Sequence, residues 1–208
     1  RNSEVVHAGF YYPTGSLKAR LCVTGRRAIY ALAKKHSIFA KPIGKLVVAC
    51  EASETAKLEK LLAQGRANGV KNLELIDAKA VDQLSGGTAK AVAALWSPET
   101  GIMDTEELMR LYLGLAEDQG AMIIFGSSLA RVERLSSGYR LWLRDSSETI
   151  DARCVINAAG LASDTVAAMV GIDIDAAGYR LHWFKGEYFS LSRSLPCQRL
   201  VYPLPGPH

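Results

Sequence analysis

A mixed α/β (α+β) fold, with crossover helices and antiparallel hairpins feeding more than one sheet, is what this 208-residue sequence predicts. Three observations carry that reading. Helical and strand-like periods alternate along the first half, and three short strands joined by polar turns follow in the second. Hydrophobic residues make up 49% of the chain against 22% charged, which supplies the apolar surface a core of this size needs.

The elements follow in order. Leu17, Leu21, Ala28 and Leu32 lie near helical spacing and predict an amphipathic helix over about 16–35, weakened slightly by Gly25. "KPIG" breaks it, and "KLVVAC" (45–50) is a short strand. Ser53 is the expected N-cap of a helix carrying Leu58, Leu61 and Leu62 and ending near Asn68-Gly69. "LELID" (73–77) is a second strand, and Asp77 caps the short helix "AKAVDQL". "SGGTAK" is a loop, and "AALWSPETG" is a strand entering a turn. Asp104 with Glu107 forms a capping-box pattern before Leu108, Leu111 and Leu115, with Gly120 as a stop.

"AMIIF" (121–125) then reads as a buried strand. "LARVERL", "YRLWLR" and "TIDARCVINAAG" form a meander in which Tyr139, Leu141 and Leu143 alternate with Arg140, Trp142 and Arg144. "SDTVAAMVG" is a helix, and "YRLHWFKGEYFSL" resumes strand-like alternation. The last six residues hold three prolines, so "VYPLPGPH" cannot be a central strand.

Composition excludes several classes. No apolar run approaches the roughly 18 residues of a membrane-spanning helix. The net charge of +4 is spread over 25 basic and 21 acidic residues without a basic block, which argues against a nucleic-acid partner. Cys22, Cys50, Cys154 and Cys197 form no C-x-x-C pair and sit at no metal-ligand spacing from a histidine; they read as buried free thiols in a reducing compartment, with no metal site.

The stretch with most chemical content is "CVINAAG" followed by "LASD". A strand ending in three small residues before a helix lets backbone approach a ligand closely, and the helix N-terminus favours an anion such as a phosphate. The same residues also suit plain packing at a strand-to-helix turn.

Six stretches together carry a resemblance: "RNSEVVHAGFYYPTGSLKARLCVTG" (1–25), "GKLVVA" (44–49), "SPETGIMDTEELM" (97–109), "INAAGLASD" (156–164), "KGEYF" (185–189) and "VYPLPGP" (201–207). In this order, across essentially the whole chain, the sequence resembles the D-amino-acid-oxidase type of FAD-dependent oxidoreductases, and within it the L-2-hydroxyglutarate dehydrogenase/oxidase branch. The resemblance implies a partial FAD-binding Rossmann-like domain with a three-stranded meander (1–35 and 104–170) and a mixed-sheet substrate domain (36–103 and 171–208). Family members open with a strand–GxGxxG–helix unit that holds the ADP half of FAD. No GxGxxG occurs here, so the resemblance leads us to expect an internal fragment that lacks that unit and a further segment at its end, holds FAD weakly or not at all by itself, and tends to self-associate.

Site roles carry over by position. The resemblance implies FAD contacts at Asn2, Ser3, Leu129, Ala158, Ala159 and Gly160. It places His7 beside the isoalloxazine ring, where an imidazole would take the substrate hydroxyl proton as hydride leaves for the flavin. Tyr12, Lys185, Tyr188 and Tyr202 would bind a small 2-hydroxy acid, whose carboxylates call for cations and hydroxyl donors. Lys185 reads equally as a solvated strand-end lysine, and His7 as a structural histidine.

Electrons would pass to oxygen or a quinone, in a protein that is cytoplasmic or peripheral at the inner face of a membrane. Two alternatives stay open: an amine or glycerol-3-phosphate oxidoreductase of the same fold, and a non-catalytic truncated scaffold. One departure stands out. "VDQLSGGTAKAVAAL" occupies the place of an acidic-proline turn in relatives, so the substrate-domain loop there is expected to differ.

Overall fold

Ser16 opens the first helix of the computed structural model, which describes residues 3–206; its Oγ accepts from the Ala19 N–H at 3.1 Å and starts α1 (Leu17–His36). Ser37 closes the helix in the left-handed conformation, its N–H returned to the Ala33 carbonyl. Arg26 is buried on this helix, ion-paired to Glu99 and donating to the Ala8 carbonyl at 3.4 Å.

The central sheet explains why "KLVVA" is apolar after its opening lysine. Strand β3 (Lys45–Ala49) runs parallel to β10 (Leu200–Pro203) and antiparallel to β5 (Ala93–Ser97), which pairs in turn with β4 (Glu74–Asp77). Side chains alternate across a strand, so β3 feeds two cores. Val47 and Ala49 join Ala8, Phe10, Val23, Leu58, Val70, Leu73 and Leu95 on one face. Leu46 and Val48 join Val81 and Ala94 on the other. Lys45 has the parity of Val47 and Ala49, so it enters the first core. The proline-containing β10 lies at the sheet edge, the position proline tolerates.

Helices α2 (Thr55–Ala67) and α3 (Ala78–Ser85) flank this sheet. Asp77 caps α3 as expected, accepting from the Ala80 N–H at 2.8 Å. Ser53 does not cap α2. A 3₁₀ turn over Ala52–Glu54 comes first, and the Glu54 carboxylate accepts from the Cys50 and Glu51 N–H groups at 2.8 and 3.3 Å. Glu51 and Glu54 thus form the capping box of that turn, and Ser53 lies inside it rather than at the start of α2.

A small sheet places β6 (Gly101–Met103) between β1 (Val5–Val6) and β2 (Ala40–Lys41). It leads into α4 (Thr105–Asp118), where Asp104 accepts from the Glu107 N–H at 2.9 Å. The Glu107 carboxylate takes the Phe39 N–H at 3.0 Å, so half of the capping box is spent on tertiary contact.

The chain divides into two compact units: residues up to Gly120 together with those from Leu191 onward, and Ala121–Ser190. In the second, β7 (Leu129–Leu135), β8 (Gly138–Leu143) and β9 (Thr149–Ala152) form the expected antiparallel meander. Gly138 turns between the first two strands at φ +123°, and any Cβ there would strike the Ala152 carbonyl. Arg140 forks onto Asp151 of the paired strand through two bonds of 2.7 Å, and α5 (Ser163–Met169) follows.

Two expected strands are absent from this unit, and the third strand of the meander stops at Ala152, short of "CVIN". "AMIIF", "CVIN" and the stretch 179–191 are irregular, and Met122, Phe125, Ile156 and Phe184 are largely exposed. A strand is a pairing property, because its backbone groups need a ladder partner, and these segments have none in the unit.

Among the described residues no helix is long and apolar enough to cross a membrane, and no three His, Cys, Asp or Glu side chains cluster as metal ligands. The four cysteines are free thiols but not buried: Cys22 and Cys197 are half-buried, and Cys50 and Cys154 are exposed, lying just past the ends of β3 and β9 where the chain leaves its sheet.

Candidate active site

The segment from His7 to Tyr12 leaves β1 and is fixed almost entirely through its carbonyls. The Cys22 thiol donates to His7 O at 3.4 Å, and Arg26 donates to Ala8 O. Asn68 donates to Gly9 O and Tyr12 O at 3.0 and 2.8 Å, and Gln64 donates to Phe10 O at 2.8 Å. Gly9, at φ +104°, lets this segment press against α1, where a Cβ would stand 3.0 Å from Val23 Cγ2. Three polar side chains and a buried arginine thus hold one loop, which is strong positioning for a segment without regular structure.

That loop borders a cleft of about 430 Å³ whose lining includes Ser3, Glu4, His7, Tyr12, Cys22 and Arg26, with Met103 and Leu108 from the facing elements. Ser3, His7 and Tyr12 are therefore brought together. Burial holds His7 below its ordinary range, and the charges of Lys45 and Lys18 push it further down. The imidazole is accordingly neutral at pH 7, the form that can accept a proton. Burial raises the Tyr12 phenol, whose ring carries the Lys18 ammonium at 4.6 Å from its centroid.

Beside the cleft is a group the sequence reading missed. Lys45 is fully buried, and its Nζ has no hydrogen-bond partner. The ammonium lies 3.6 Å from the Tyr202 ring centroid and 5.4 Å from that of Tyr11. Burial lowers it to about 8. It also raises the Tyr11 phenol well above the ordinary range, with Tyr202 and Tyr12 adding to the effect. Tyr202 thus takes its place on β10 against a cation. The signal in the sequence is a lysine opening an otherwise apolar strand.

The remaining candidates lie in the second unit. Leu129 begins β7, half-buried and paired with Leu143. Ala158 and Ala159 are exposed, and Gly160 starts a 3₁₀ turn at φ +57° with nothing within 4 Å of where a Cβ would stand. Asn157 organises this turn, accepting from the Ala159 N–H at 3.3 Å and donating to Ser163 O at 2.7 Å. Lys185 is exposed and paired with Glu187 at 3.0 Å, and Tyr188 is exposed. Asn2 lies outside the described residues.

Comparison with known proteins agrees across the chain. The family profile described as DAO, FAD dependent oxidoreductase, matches residues 1–208. The chain is 36% identical to an L-2-hydroxyglutarate dehydrogenase, mitochondrial, of Caenorhabditis briggsae, over 99% of this chain and 48% of that one. It is 30% identical to an L-2-hydroxyglutarate dehydrogenase of Indibacter alkaliphilus, over 100% of this chain and 51% of the relative. The chain thus spans about half the length of the curated relatives it matches.

Among solved structures, the L-α-glycerophosphate oxidase of Mycoplasma pneumoniae with FAD bound superposes with a TM-score of 0.74 at 20% identity, over 81% of this chain and 45% of that one. The glycine oxidase of Geobacillus kaustophilus gives 0.73 at 20% identity, over 82% and 47%. Those two likenesses establish the fold.

Proposed function

The chain belongs to the DAO family of FAD-dependent oxidoreductases, and from that premise we propose that the protein oxidises a small 2-hydroxy acid of the L-2-hydroxyglutarate kind. The substrate class is supported by likeness to L-2-hydroxyglutarate dehydrogenases along the whole of this sequence. The chemistry is supported by one observation above the others: a half-buried imidazole, His7, on the wall of a cleft, on a loop held through its carbonyls, where burial and two nearby lysines lower its titration.

FAD is the cofactor of the family, and the residues present fit it. The backbone of Ala158, Ala159 and Gly160 is open and carries no side chain large enough to obstruct a bulky anion. We assign cofactor contacts to these three and to Asn2, Ser3 and Leu129. When bound, FAD supplies a hydride acceptor.

The protein's own part is orientation and proton transfer. His7 receives the hydroxyl proton of the substrate while the C–H electron pair leaves the same carbon, so a carbonyl forms without a separate alkoxide. Tyr12, from the same cleft, and Tyr202 donate to the acid. Lys185 and Tyr188 are further substrate contacts in this proposal.

The test is anaerobic mixing of the flavin-loaded protein with L-2-hydroxyglutarate, glycerol 3-phosphate and glycine in turn. Bleaching of the visible flavin bands by the first alone is the expected result. Bleaching by either of the others instead transfers the protein to the glycerol-3-phosphate or amine oxidoreductases.

A further inference from the structure

Lys45 has no role in the chemistry assigned to His7, yet it is the least comfortable group in its unit. An ammonium offers three donors and, unlike an amide or hydroxyl, cannot turn them into acceptors. Here it is fully buried with none of the three satisfied. Proteins keep buried charges only where something pairs with them. The two tyrosine rings compensate in part, since their faces are negative, but a ring face does not replace an anion. Among the described residues no carboxylate is ion-paired with it, and burial alone lowers its titration.

Its position narrows the choice of anion. Lys45 shares the β3 face of Val47 and Ala49, and its charge is felt at His7. It does not line the cleft that His7 lines, so the ammonium is set behind the end where the proton would be taken. Tyr202, on the edge strand β10 and half-buried, stands over it. A ligand that displaces this ring reaches a preformed cation in a low-dielectric setting.

We infer that Lys45 is the anchor for the distal carboxylate of a dicarboxylic substrate, reached past Tyr202 and responsible for preferring dicarboxylates over monocarboxylates. This rests on the reading of the protein as a 2-hydroxy-acid oxidoreductase and specifies its substrate. Lys45 binds and positions; it takes no part in bond making.

The experiment measures glutarate and butyrate binding to the flavin-loaded protein, through perturbation of the flavin spectrum and by calorimetry, for wild type, Lys45→Met and Lys45→Arg. These two ligands differ by one carboxylate. Lys45→Met weakens glutarate by at least about 30-fold and leaves butyrate within a few-fold. Lys45→Arg keeps the charge and recovers part of the loss.

Wild type supplies a check that needs no variant. Its glutarate affinity falls as pH rises through about 8, where the ammonium loses its proton. His7 titrates below that range, and burial holds the Tyr11 and Tyr12 phenols above it; Lys18 and Tyr202 complete the groups around the site. Equal glutarate affinity in Lys45→Met, an equal loss for both ligands, or a flat wild-type profile overturns the inference. If glutarate binds through Lys45 while L-2-hydroxyglutarate leaves the flavin oxidised, the oxidation reading fails and the dicarboxylate site stands. If L-2-hydroxyglutarate bleaches the flavin and Lys45→Met binds glutarate normally, the reverse holds.

Discussion

"LVVA" at 46–49, opened by Lys45, and "AMIIF" at 121–125 are short apolar runs of similar character, and they end in opposite states. The first is a central strand with every residue buried, and the second is exposed coil. What separates them is neighbours. β3 has a ladder partner on each side and a packed layer on each face, whereas 121–125 has neither in its unit. The contrast extends to the whole units, since Val132 is the one fully buried hydrophobic between Ala121 and Ser190. Hydrophobicity sets what a segment would gain by burial; partners decide whether it is realised.

That contrast can be broken most sharply by truncation. Leu95→Ala, at a fully buried position of β5, is expected to cost about 2–5 kcal/mol in urea denaturation. Met122→Ala, at 89% exposure, should stay within about 0.5 kcal/mol. Similar costs at both sites would mean that the second unit hides a core.

Lys45 sharpens the comparison from the other side, as a charge where the core should be apolar. Its folded value of about 8 lies below its ordinary 10.5, so the unfolded chain holds the extra proton between those limits. Stability therefore rises with pH through that window, and the penalty is fully present below about 8. Lys45→Met should be more stable than wild type by roughly 3 kcal/mol at pH 7, an advantage that fades by about pH 10.5 when Tm is followed against pH. A destabilised Lys45→Met would show the lysine to be structural.

Gly65 gives a smaller effect. A Cβ there would press on Leu73 and on Phe10, so Gly65→Ala should cost about 1–3 kcal/mol by overpacking. It should also loosen the loop that carries His7, because α2 holds that loop through Gln64 and Asn68. Proteolysis between Phe10 and Tyr12 would report the loosening.

Local rules were legible where local physics decides. Ser16 was inside the helix span read from periodicity, and the Asp77 and Asp104 caps, β3 and the meander all follow from spacing and turn chemistry. Ser53 failed because a 3₁₀ turn over Ala52–Glu54 precedes α2 and takes Ser53 into its interior, a lead-in that residue order alone does not show. The strands expected in the second unit failed because alternation describes a face and says nothing of a partner. In the candidate site, motif position proposed Ser3, His7 and Tyr12, and these three line one cleft. Lys45 was not, since burial of a strand-opening lysine depends on β10 arriving from far along the chain, with Leu200 beside Lys45.

The most direct test of the account is the rate at which L-2-hydroxyglutarate bleaches the flavin under anaerobic conditions, in wild type beside His7→Gln. Equal flavin content and a rate lowered by roughly 10²–10⁴-fold in the variant are expected. Equal rates would remove His7 from proton transfer and with it the chemical role assigned to the cleft.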